Sequence, residues 1–204
     1  MRDELADHPD RRRWNARYDG QVPSFEPHGL LAAARELAPP GGAVLELACG
    51  PSGSALAAAA AGRHVTAVDV SDVALRLLRD EAQRRGVLGL IDIVHADLQA
   101  WRPAGAPYAL VLCAGYWDRQ VFGRAAAAVA AGGVLAWQAL TAAARTARPG
   151  MPAAWCLGPG EPAVLLPAGF TVVQQADLPE AGSAGSGAAG SAAGTWRRLL
   201  ARRG

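Results

Sequence analysis

The stretch VLELACGPSGSALAAAAAG, Val44 to Gly62, decides the fold. An apolar run carrying one carboxylate, Glu46, breaks at a Gly/Pro/Ser turn and restarts as an alanine-rich segment. The first part, Ala43 to Ala48, reads as a short strand. The second, Ser54 to Ala61, has strong helix propensity, and Gly62 supplies its stop. Strand, glycine turn and helix make the repeating unit of a doubly wound sheet. In such a sheet the ligand sits at the carboxyl ends of the strands, where the first strand turns into its helix.

The same alternation runs outward in both directions. Upstream, Pro27 to Gly42 reads as a helix closed by a double proline and two glycines. Downstream, His64 to Val68 is a second strand ending at Asp69, and Ser71 is an N-cap. The cap opens an amphipathic helix, DVALRLLRDEAQRR, with Val73, Leu77 and Leu78 inward and Gly86 at its end. Leu90 to Val94 and Tyr108 to Cys113 are the third and fourth strands. Gln120 to Ala131 is predicted as a helix ended by Gly132-Gly133, and Val134 to Leu140 as the fifth strand. Phe170 to Gln175 and the closing TWRRLLARR supply two more, joined by the low-complexity stretch Glu180 to Gly194, which has no apolar side chain larger than alanine. The expected fold is therefore α/β: a doubly wound, mostly parallel seven-stranded sheet with a C-terminal antiparallel hairpin. It reads as one domain over 1–204, with an N-terminal helical segment (1–40), a ligand-binding core (41–140), and a second loop with C-terminal strands (141–204) that include a flexible loop at 179–194.

Composition narrows the function. At 204 residues and 51% hydrophobic, the chain can bury a sizeable core. A net charge of +2, with scattered arginines, gives no electrostatic footprint for nucleic acid. All 20 basic residues are arginine, which excludes lysine Schiff-base or lysine-base chemistry. Cys49, Cys113 and Cys156, odd in number and far apart, suit reduced buried thiols better than disulfides or a zinc site. The charged start, MRDELADHPDRRRW, lacks an apolar h-region, and the alanine tracts are too short to span a membrane. A cytoplasmic protein is expected.

The glycine turn limits the ligand. Ala48-Cys49-Gly50-Pro51-Ser52-Gly53 matches only the last two glycines of a dinucleotide G-x-G-x-x-G. A P-loop requires a lysine the chain lacks. Glu46 would repel a pyrophosphate and suit a cationic ligand.

Taken together, VLELACGPSG, Asp69 after the second strand and HADL (His95 to Leu98) after the third resemble the motifs of class I S-adenosylmethionine-dependent methyltransferases. RWNARY near the start, YWDRQVF after the fourth strand, and the segment Arg148 to Asp177 resemble the small tellurite-resistance-type and thiopurine-type branch. The resemblance runs over almost the whole chain and implies a Rossmann-like fold and S-adenosyl-L-methionine as cofactor. It implies that Glu46, Ala48, Gly50 and Gly53 form the cofactor turn. Asp69 would hold the ribose hydroxyls with Val70 packing on adenine, and Asp97 would take the exocyclic amine beside Leu98. Cys113 would line the floor at the end of the fourth strand. Trp14, Arg17 and Tyr18 would form a lid over the methionine moiety. Ala48 and Ser52 depart from the family's glycines.

Plain structural roles stay open for several of these. Glu46 could be a strand-end residue, Asp97 a turn residue, Trp14 to Tyr18 an ordinary helix face, and Tyr116 and Trp117 a loop anchor packed under the next helix. His8, His28 and His64 have no motif around them.

The resemblance implies a methyltransferase for a small-molecule acceptor. Contacts to it are expected from Tyr116, Trp117, Asp118 and Arg119, and from Thr141 to Trp155. Relatives of the tellurite type commonly carry His-Arg where this chain has Asp118-Arg119, which disfavours an oxyanion acceptor. No [N/D]-P-P-[Y/F] box or Pro-Cys nucleophile is present, and the only asparagine is Asn15, so base-amino, cytosine-C5 and metal-dependent catechol chemistry are set aside. No metal, nucleic-acid or membrane partner is expected, and the protein should be a monomer or weak homodimer. Two alternatives remain: a catalytically degenerate S-adenosylmethionine or nucleoside binder, and a nicotinamide oxidoreductase, against which Glu46 argues.

Overall fold

The computed structural model describes residues 5–105, 107–179 and 195–204. From residue 180 onward, the loop foreseen at 179–194 lies outside the described residues. Seven strands form one sheet: β1 (Val44–Leu47), β2 (Val65–Asp69), β3 (Ile91–His95), β4 (Tyr108–Ala114), β5 (Val129–Leu140), β6 (Phe170–Leu178) and β7 (Trp196–Arg203). Their spatial order is β3-β2-β1-β4-β5-β7-β6. The pairs β3-β2, β2-β1, β1-β4 and β4-β5 are parallel, and β7 runs antiparallel to both β5 and β6. The α/β architecture and the antiparallel C-terminal hairpin are as expected from the sequence. The strand order reverses at β1, so a crevice is set at the carboxyl ends of β1 and β4.

The helices are α1 (Pro9–Tyr18), α2 (Gly29–Glu36), α3 (Gly53–Ala60), α4 (Asp72–Arg84), α5 (Arg119–Ala127) and the short α6 (Ala144–Ala147). Alternation along the strands divides the core between the two faces of the sheet. On one face Val44, Val65 and Leu110 pack with Leu30, Leu31, Leu56 and Leu78 from α2, α3 and α4. On the other Leu45, Leu47, Val111 and Leu135 pack with Phe122 of α5 and with Trp117 and Trp137.

Local signals placed most elements, with two corrections. Ser71 caps α4 by accepting from Ala74 N–H at 3.1 Å, but the buried stripe is Ala74, Leu75, Leu78 and Ala82. Val73 and Leu77 lie on the shoulder of that stripe and are only partly covered. The predicted helix over 120–131 ends at Ala127, and Gly132-Gly133 lie inside β5 rather than stopping a helix. Gly132 has φ +72°, and a Cβ on Gly133 would come 2.8 Å from the Ala130 carbonyl. The pair absorbs a register shift against β4 between Tyr108 and Leu110, where only glycine fits.

Candidate functional site

The β1–α3 turn is built by a short relay. Ser52 caps α3, its hydroxyl accepting from Ala55 N–H at 2.9 Å and donating to Glu46 Oε2 at 2.7 Å. Glu46 is buried, and burial pushes its carboxyl up to about 7 against the opposing pull of the Ser52 hydrogen bond. Glu46 therefore fixes the turn through the Ser52 hydroxyl.

Ala48 adopts φ +49° and Gly50 φ +57°. Ala48 is held in the left-handed region, where its Cβ costs energy that glycine would not incur. Gly53 serves another need: a Cβ there would overlap the backbone of Phe25 and Glu26, which crosses the start of α3. That crossing is a tertiary requirement, hidden in the motif.

Asp69, at the carboxyl end of β2, is buried with both oxygens engaged. Gly50 N–H donates to Oδ2 at 2.8 Å and Ser71 N–H to Oδ1 at 2.8 Å. Burial raises its pKa while these amide bonds pull it down. Each carboxylate oxygen retains a second acceptor direction. Val70 is half-buried beside it, with its carbonyl 3.1 Å from His95 Nε2. Asp97 follows β3 in an Asx turn, accepting from Gln99 N–H at 3.0 Å, and stands 3.8 Å from His8 Nε2. Leu98 and Cys113 are brought to the same end of the sheet, but their side chains belong to the core. The Cys113 thiol is held protonated by burial.

The N-terminal segment lies across these strand ends. Asn15, which the sequence reading did not assign to the site, clasps α1 to the start of α4. Its Oδ1 accepts from Ser71 Oγ at 2.7 Å and its Nδ2 donates to Asp72 Oδ1 at 2.8 Å. Arg11 donates to the same Asp72 oxygen at 2.6 Å. The Arg11 and Asn15 hydrogen bonds hold the Asp72 carboxyl well below the usual range. Tyr18 stands over the glycine turn, its hydroxyl 2.9 Å from where a Gly50 Cβ would be. Burial, then the Asp69 carboxylate, pushes that phenol up to about 12. Trp14 stacks on Tyr18 with centroids 5.8 Å apart, and Arg17 is exposed beside them.

The segment after β4 differs from the expectation. Trp117 is a core residue, 5% exposed and packed 5.5 Å from Phe122 and 6.2 Å from Trp137. Asp118 is the N-cap of α5, accepting from Val121 N–H at 2.9 Å. Arg119 is paired in bidentate fashion with Glu161, at 2.6 and 3.0 Å. Of the four, Tyr116 alone is half-buried and neither capping nor paired; burial and then the Asp118 charge raise its phenol. Glu161 was invisible locally because it lies 42 residues from Arg119. Trp155, in the loop after β5, is 43% exposed, with the Arg13 guanidinium over its ring.

A separate cleft of about 550 Å³ opens at the amino ends of the strands, beside Tyr108. Its Arg102, Arg124 and Arg203 are turned onto backbone carbonyls, and it lies opposite the Asp69 end of the sheet.

Residues 44–133, from β1 into β5, match the family model of the methyltransferase domain. Residues 44–133 thus carry a methyltransferase domain, and the fold is that of the class I S-adenosylmethionine-dependent methyltransferases. No curated protein matches the sequence. Solved structures with the same fold include the CcbJ methyltransferase from Streptomyces caelestis, at 16% identity and TM-score 0.64, covering 93% of this chain and 95% of that one. TehB from Haemophilus influenzae aligns at 15% identity and TM-score 0.66, covering 87% of this chain and 62% of that one. Magnesium protoporphyrin IX methyltransferase from Synechocystis PCC 6803, solved with bound SAH (S-adenosylhomocysteine), aligns at 18% identity and TM-score 0.63, covering 95% and 94%. At such identities the likeness is one of fold.

The methyltransferase domain's cofactor is S-adenosylmethionine, and the donor set fits it. Three carboxylates, Glu46, Asp69 and Asp97, lie at or near the carboxyl ends of the successive strands β1, β2 and β3. A ligand offering an ammonium, a sulfonium, two ribose hydroxyls and an exocyclic amine requires acceptors and negative charge there. Among the described residues, no cluster of three or more His, Cys, Asp or Glu could hold a metal ion. No helix among them is long and apolar enough to cross a membrane.

Proposed function

We propose that the methyltransferase acts on a small organic acceptor that is flat or soft, neutral or singly charged, rather than on a small oxyanion. One observation carries this reading: Arg119, the cation after β4, is taken up by Glu161 in a bidentate pair. Asp97 and Asp118 add negative charge around Tyr116, an unfavourable setting for a second anion. Small-molecule acceptors are named for relatives of the same fold, a coclaurine N-methyltransferase and the magnesium protoporphyrin IX enzyme.

In this reading Asp69 holds the ribose hydroxyls and Asp97 the adenine amine, while Glu46 sets the negative charge under the turn. S-adenosylmethionine, when bound, supplies a methyl on a sulfonium that is already strongly electrophilic. The chain's own work is placement and exclusion of water by Trp14 and Tyr18. A soft or ionised acceptor requires no dedicated base, and none is assigned. We place this activity in a cytoplasmic monomer or weak dimer without a nucleic-acid partner.

The test has two parts. Calorimetry with S-adenosylmethionine and S-adenosylhomocysteine reports the cofactor site. Methyl-release assays against thiols, phenols, carboxylates, and selenium and tellurium oxyanions then report the acceptor. Turnover confined to the oxyanions would overturn the reading.

A further inference from the structure

Four planar groups stand in sequence from the glycine turn to the loop after β5. Tyr18 stacks on Trp14, the Arg13 guanidinium lies 5.0 Å from the Trp14 centroid, and the same guanidinium lies 4.3 Å from the Trp155 centroid. The two tryptophans belong to segments about 140 residues apart in sequence, one on the lid helix and one in the loop beyond β5. Both rings carry the same planar group, the Arg13 guanidinium, over them. A guanidinium is flat and delocalised, and it stacks on aromatic faces as an aromatic ring does.

Resting on the reading above, we propose that Trp14 and Trp155 are the walls of the acceptor slot, that Arg13 is its placeholder, and that the slot takes a flat aromatic or heteroaromatic molecule. Three observations support the exchange. Arg13 is loosely held: its side chain is 45% exposed, and its charged partner is Asp10, one turn back at 3.5 Å. That aspartate and solvent can receive the guanidinium when it swings out. Trp155 is 43% exposed, so one large aromatic face is presented to a ligand. Tyr18 also stacks on Trp14 and stands over the glycine turn, so the group of planar side chains runs from the cofactor turn to Trp155. A ring entering the slot gains stacking on both walls, and non-planar molecules of the same size do not.

The test is calorimetry of 2-naphthol, with cyclohexanol as the non-planar control, on the full chain saturated with S-adenosylhomocysteine. Wild type binds 2-naphthol and not cyclohexanol. Arg13→Ala removes the placeholder and tightens 2-naphthol binding by roughly fivefold. Trp155→Ala removes a wall and weakens it by roughly tenfold, with S-adenosylhomocysteine affinity kept. Both side chains are exposed, and unfolding curves check that the variants are folded. Arg13→Ala binding 2-naphthol no better than wild type, or Trp155→Ala binding it equally well, would overturn the slot and leave Arg13 a clasp. Loss of the slot with continued methyl release to phenols or thiols leaves the small-acceptor reading standing. Absence of release to every small molecule removes that reading, whatever calorimetry shows.

Discussion

Asp69 Oδ2 accepts the Gly50 N–H at 2.8 Å, so the carboxylate beyond β2 and the glycine turn beyond β1 are one unit. The other oxygen holds the Ser71 amide that starts α4. A residue read from sequence as a ribose ligand is also a brace for two backbone segments.

Asp69→Ala should therefore show two losses. Two buried amides lose their acceptor, costing about 2 kcal/mol of stability. S-adenosylhomocysteine binding falls by ~1.5–3 kcal/mol through the lost ribose contact, roughly 10–150-fold in Kd. Chemical denaturation and calorimetry measure the two separately. Full stability with weakened binding would mean that the amides find other acceptors.

Ala48→Gly should stabilise the protein. The residue sits at φ +49°, where a Cβ costs about 1 kcal/mol, more than the added chain entropy of glycine. The net gain, up to about 0.5 kcal/mol, corresponds to a Tm increase of about 1–2 °C for a chain of this size. A decrease would place the cost of glycine flexibility above the strain.

Glu46 makes stability and binding pH-dependent. Its folded-state pKa, about 7, lies above the ordinary 4.5. A raised acid contributes stability that is fully present below 4.5 and is lost as pH rises through about 7. Glu46→Gln should flatten the stability profile across that window. A cationic ligand favours the ionised form, so S-adenosylmethionine should bind with proton release and more tightly at pH 7 than at pH 5. Calorimetry in two buffers of different ionisation enthalpy checks this; zero proton release at pH 6 would place the ligand's charge away from Glu46.

Asn15→Ala tests the lid. A lid over the cofactor would be cleaved readily in the free protein unless it is anchored, and α1 is clasped to Ser71 and Asp72. Removing the clasp should raise proteolysis within α1 about tenfold, with saturating S-adenosylhomocysteine restoring protection. Unchanged cleavage would leave the Arg11–Asp72 pair as the sufficient anchor.

Trp117→Ala should act on the fold. Opening a hole beside Phe122 and Trp137 costs about 3–5 kcal/mol, seen as a large drop in unfolding midpoint. A stable variant with selectively lost turnover would return Trp117 to the acceptor pocket.

The sequence by itself determined the order of elements, the parallel sheet with its antiparallel hairpin, the Ser71 cap and the carboxyl-end location of Asp69 and Asp97. These follow from periodicity, propensity and capping, which act between residues a few positions apart. Tertiary structure decided the partnerships. Trp117 faces inward because Phe122 and Trp137 wait there, and Arg119 is engaged because a distant loop delivers Glu161. Gly53 must lack a side chain because Phe25 and Glu26 pass over it, and Asn15 matters because α1 lands on α4. Each of these depends on where two remote segments meet, and a remote meeting leaves no local pattern in the chain.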